Sequence, residues 1–61
     1  MEIATQLKSY YDVTEQKYVH LFEQAECEAV YIEQDWDNEV TNMRFEDGSE
    51  LSFSHGEVWV E

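Results

Sequence analysis

Four carboxylates fall at every second position in IEQDWDNEV, residues 32–40: Glu33, Asp35, Asp37 and Glu39. Such a row could hold a cation or meet a positively charged partner. For a cation, Asp35, Asp37, Glu39 and Glu46 match positions 1, 3, 5 and 12 of a helix-flanked calcium loop. Position 6, however, is Val40 where the sharp turn needs glycine, and the flanks alternate like strands. A specific calcium site is not expected. Cys27, His20 and His55 lack paired-ligand spacing, so neither is a zinc site.

Catalytic pairings fare no better. His20 and Glu23 are i, i+3 neighbours on a helical stretch. Cys27 lies between Glu26 and Glu28, which disfavour a thiolate. No glycine-rich, phosphate-cradling loop is present, and 61 residues leave little room for a cleft. The expectation is a protein that is not an enzyme, with no catalytic residue, metal or other cofactor.

Charge is the strongest signal that remains. Fifteen acids against three bases give a formal net charge of −12. Residues 1–22 balance Glu2, Asp12 and Glu15 against Lys8 and Lys17, whereas residues 23–61 set twelve acids against Arg44 alone. Self-repulsion of that size weakens a compact state. It exceeds what solubility asks of a small domain, for which a magnitude of about 2–8 usually suffices. Direct contact with nucleic acid or an anionic membrane is disfavoured, and a basic protein partner is favoured. Residues 1–11 carry Glu2 and Lys8 with no uninterrupted apolar run, so no signal peptide or membrane span is expected. The lone Cys27 fits a reducing cytoplasm.

These groups need a frame. A chain of 61 residues forms one domain, 1–61, and buries only about 60% of its unfolded surface. Nine aromatic residues supply unusual apolar area for such a core. Ile3, Leu7, Tyr10 and Tyr11 form a helical stripe, and Tyr18, Leu21, Phe22 and Ala25 form a second. Tyr10 and Tyr11 cannot both face inward. Asp12 with Glu15 reads as a capping box restarting a helix at Val13. An unbroken helix to Glu26 would run roughly 37 Å, overhanging strands of roughly 20–23 Å. One kinked helix or two short ones over 1–26, broken near Asp12, is therefore expected.

From Ala29 the period becomes two, with candidate strands at 29–35, 39–46, 50–54 and 57–60 and turns at 37–38, 47–49 and 55–56. Those turns place Ile32 opposite Met43, Met43 opposite Phe53, and Phe53 opposite Val58. All three send one apolar set, Val30 and Ile32 included, to a single face, which a one-residue slip would destroy. The expected fold is α+β: the helical segment packed on a four-stranded antiparallel meander over 29–60.

The opposite face then carries Glu33, Asp35, Glu46, Glu50 and Glu57, with Asp37, Glu39 and Asp47 at the turns. One row across it would read Tyr31, Arg44, Ser52, Trp59, putting Arg44 within reach of both aromatics. Trp36 follows the inward parity beside a turn, where it could cap the core or project. Trp59 points outward, either packed against Arg44 and Tyr31 or free as an anchor. Acids two apart on a strand sit roughly 6.6 Å from each other, comparable to neighbouring phosphates.

In size and charge, with IEQDWDNEV and RFEDGSELSF as its acidic stretches, the chain resembles small phage-type inhibitors of the DNA-mimic anti-restriction and anti-CRISPR kind. That resemblance implies binding to a host nuclease or other nucleic-acid enzyme and blocking its DNA or RNA site. Uracil-glycosylase inhibitors are similar in charge and in helix-then-strand order, but their glutamate-serine-isoleucine element has no counterpart here. The expected contact set is Glu33, Asp35, Trp36, Asp37, Glu39, Glu46, Asp47, Glu50, Glu57 and Trp59. The alternatives are a regulatory or immunity-type module for a basic protein that does not compete with nucleic acid, and a homodimer subunit.

Overall fold

A computed structural model describes residues 2–61. Helices α1 (Ile3–Thr14) and α2 (Tyr18–Glu28) precede strands β1 (Tyr31–Asp35), β2 (Val40–Arg44), β3 (Glu50–Ser54) and β4 (Glu57–Val60). The strands form one antiparallel sheet in the order β1-β2-β3-β4. The α+β meander expected from the change of period is the observed fold.

There are two helices, but the break is not at Asp12. Asp12 lies inside α1, where Lys8 Nζ donates to both its carboxylate oxygens at 2.9 and 3.1 Å. That i, i+4 pair favours helix through the proposed capping site. The chain turns at Glu15 instead, in the left-handed region at φ 53°, with its N–H donating to Tyr11 O. Among the described residues no helix is long and apolar enough to cross a membrane.

Ala4 and Ala25 are fully buried, so each helix approaches the sheet through a small side chain. Leu21, Met43, Phe45, Leu51 and Phe53 complete the core, with Ile3, Leu7, Tyr11, Tyr18 and Phe22 packed around it. Phe53 meets Phe22 and Tyr18 edge-on, with ring centroids 5.1 and 5.8 Å apart. Tyr11 takes the inward place of the tyrosine pair, and Tyr10 is left 63% exposed.

Two of the three expected registers hold: Ile32 faces Met43, and Phe53 faces Val58. His55 and Gly56 both have positive φ, 49° and 80°, as a tight two-residue hairpin turn requires. Between β2 and β3 the pairing differs by two residues, placing Met43 opposite Leu51 and Thr41 opposite Phe53. The loop is 46–48 rather than 47–49. Phe45 N–H donates to Ser49 O, and Gly48 N–H, at φ 86°, donates to Phe45 O, both at 2.9 Å. A two-residue shift keeps every side chain on its face, so the core set survives while the cross-strand neighbours change.

Outside the loop, Ser49 also serves α1. Glu2 provides no side-chain cap. Instead Ile3 N–H donates to Asp47 Oδ2 at 2.8 Å, and Ala4 N–H donates to Ser49 Oγ at 3.1 Å. The β2–β3 hairpin thus supplies the acceptors for two otherwise orphaned N–H groups of α1 and a negative charge at its positive end.

The helices do not roof the whole sheet. α1 lies against β4, while β1 has β2 as its one extensive neighbour. Val30 and Ile32, expected in the core, are therefore 65% and 42% exposed.

Candidate partner-binding surface

Because the meander alternates direction, the 36–39 loop and the 55–56 turn share one end of the sheet, and the 46–48 loop lies at the other. The expected contact residues divide accordingly. Asp35, Trp36, Asp37, Glu39 and Glu57 gather at the first end. Glu46 and Asp47 sit at the second. Glu33, Glu50 and Trp59 occupy the outer face between them.

The first end is built by Asp35. The expected turn at 37–38 is a four-residue loop closed by the Asp35–Val40 pair. Asp35 Oδ1 accepts the N–H groups of Asp37 and Asn38 at 3.1 and 3.2 Å, and Asn38 Nδ2 donates to Asp35 Oδ2 at 2.8 Å. This side chain imitates a turn of backbone. The Asn38 amide, then the loop N–H groups, hold the Asp35 carboxyl below its ordinary value of 3.8. Asp35 therefore shapes the loop besides contributing charge to it. Glu39 enters the left-handed region at φ 56°, and its carboxylate lies 2.9 Å from His55 Nε2.

This construction settles Trp36. Placed in the loop rather than on the strand, it projects with 79% of its surface exposed. Two shallow hollows share Gln34, Asp35 and Trp36 in their walls, one continuing to Glu39 and Thr41, the other to Glu33 and Asp37. An indole thus stands among carboxylates on a backbone locked by side-chain hydrogen bonds.

At the other end Asp47 accepts three hydrogen bonds. Oδ1 accepts the Ser49 hydroxyl and, at 3.0 Å, the Ser49 N–H, while Oδ2 accepts Ile3 N–H. These bonds, that of the Ser49 hydroxyl foremost, keep its carboxyl below 3.8. Asp47, like Asp35, therefore shapes its loop besides contributing charge to it.

The outer face is also less uniformly acidic than expected. Its rows read Tyr31, Arg44, Glu50 and Glu33, Asn42, Ser52, Trp59. The two-residue shift moves Trp59 out of the arginine's row. Arg44 lies 5.7 Å from the centroid of Tyr31, and its Nη2 is 3.8 Å from Glu50 Oε2. Trp59 is 37% exposed and donates its indole N–H to Glu61 Oε1 at 2.9 Å. Ser52, fully buried on this nominally solvent-facing side, donates to Glu61 Oε1 at 2.9 Å and contacts the Asn42 amide. A polar, hydrogen-bonded strip therefore runs through the middle of the face. Asn42 and Glu61 escaped sequence reasoning; Ser52, expected beside Trp59, lies there but in the row of Asn42 rather than that of Arg44.

Strand β2 runs through the twelve residues 35–46 that match calcium-loop spacing, so Asp35 and Glu46 stand beyond opposite ends of a five-residue strand. Among the described residues no His, Cys, Asp or Glu group has a geometry suited to a metal ion. No protein family, curated protein or solved structure matches the chain.

Proposed function

We propose that the protein is a non-enzymatic acidic inhibitor that occupies the basic nucleic-acid-binding site of an enzyme by presenting nucleic-acid-like charge. Nucleases, CRISPR effectors, restriction enzymes and DNA-repair enzymes have such sites. The observation that carries this reading is the 35–39 loop, with Trp36 79% exposed among Asp35, Asp37 and Glu39 on a fixed backbone. Exposed tryptophan is a frequent binding hot spot. A loop already ordered before binding avoids part of the entropic cost of docking. A net charge of −12 steers a basic groove toward it over long range. Inhibition is then simple competition, weakened by salt.

The division of carboxylates between two ends of the sheet favours a second reading, a module that grips a basic protein away from any nucleic-acid site. One experiment separates them. The immobilised protein captures its target from lysate, and excess single-stranded or duplex DNA is then added. Release of the target supports occupation of the nucleic-acid site; a ternary complex supports the second reading.

A further inference from the structure

We infer that the free edge of β1 accepts an extended strand from a partner protein, one whose side chains alternate between basic and apolar. As the edge of an antiparallel sheet, β1 turns the N–H and C=O of every second residue away from β2. The two edges are unequal, since α1 packs against β4 and no helix lies extensively against β1. β1 is accordingly the least covered strand, with Tyr31 49%, Ile32 42% and neighbouring Val30 65% exposed.

The two faces of β1 specify its occupant. On the helix side, Ile32, paired with buried Met43, extends the core face beyond the helices, and an added strand would cover it with an apolar side chain. On the outer side, Glu33 and Asp35 have no basic neighbour opposite them, because β2 presents Asn42 and Val40 there. An added strand would meet those carboxylates with lysine or arginine. Charge argues against a second copy of this chain as the occupant. Self-pairing would bring Glu33 and Asp35 of both copies to one face, each copy already carrying −12. Acids on this edge thus work against self-association while leaving it open to a cationic strand. The inference holds whether or not the partner also binds nucleic acid.

The test uses a short acetylated peptide alternating lysine and valine, titrated into isotopically labelled protein. Amide shifts confined to residues 30–36, with new hydrogen-exchange protection at alternate β1 amides, are expected. A second peptide of the same sequence, N-methylated at alternate residues, keeps the charge but cannot complete the ladder; it should bind at least about tenfold more weakly. Equal binding of the two peptides, shifts spread over every acidic segment, or no binding would overturn the inference. So would dimerisation of the free protein through β1, detected by sedimentation and by the same pattern of protection.

Discussion

Asp47 and Ile3, 44 positions apart, are joined by a 2.8 Å hydrogen bond that ties the hairpin loop to the start of α1. With Ser49 beside it, one loop between strands completes a helix at the far end of the chain. The helix layer and the sheet layer are therefore coupled by polar contacts as well as by the core.

Ser49→Ala removes the acceptor of Ala4 N–H and should cost about 1 kcal/mol. In a domain of this size that lowers Tm by about 4–8 °C. Asp47→Ala removes the acceptor of Ile3 and both Ser49 donors' partner together, so its Tm should fall further. Thermal melts followed by far-ultraviolet circular dichroism check the order; a milder Asp47 variant would contradict it.

Acid should weaken the fold through Asp35 and Asp47. Both are held below 3.8 in the folded state by hydrogen bonds to the ionised form. Their stabilising contribution is complete above the unfolded value and disappears as pH falls through the lower folded one. Melts at falling pH should show this loss beginning near 3.8, and Asp47→Asn should remove part of the slope.

Phe53→Ala deletes the ring that Tyr18 and Phe22 both meet, in a residue 2% exposed. Such truncations cost about 3–5 kcal/mol, against a total of about 3–9 for a chain this short. The variant should lose about half or more of its stability, seen as a large fall in its urea midpoint.

Gly56→Ala should destabilise by about 1–2 kcal/mol through backbone strain at φ 80°. A Cβ there meets nothing within 4 Å, so no clash contributes. Urea unfolding should show a lower midpoint with an unchanged slope.

Trp36→Ala should weaken target binding by about 2 kcal/mol, roughly thirtyfold, with Tm nearly unchanged because the side chain is exposed. Glu33→Gln combined with Asp37→Asn should slow association and flatten its dependence on salt. Asp35 is left intact in that variant, since replacing it would unmake the loop as well as the charge. Surface plasmon resonance at two ionic strengths distinguishes these effects.

The alternation after Ala29, the turn residues and the helical stripes carried the architecture, because each reflects a local period that burial must satisfy. Less local features were hidden. Ser49 reads as a loop residue until its bonds to Phe45, Asp47 and Ala4 are visible, and these accompany the two-residue difference between β2 and β3. Asp35 and Asp47 look like free surface charges until their N–H donors are visible. Val30 and Ile32 carry the pattern of core residues; only the lie of α1 along β4 shows that the roof stops short of them. Charge density could be counted in the sequence, whereas which carboxylates the fold engages could not.

The two tryptophans sit in such different surroundings that they can act as separate optical reporters. Trp36, in the open loop, should respond to quenchers and to an arriving partner. Trp59, bonded through its indole to Glu61 beside buried Ser52, should respond to the intactness of the sheet. With one replaced at a time by phenylalanine, emission from the other would distinguish engagement from unfolding in the same cuvette.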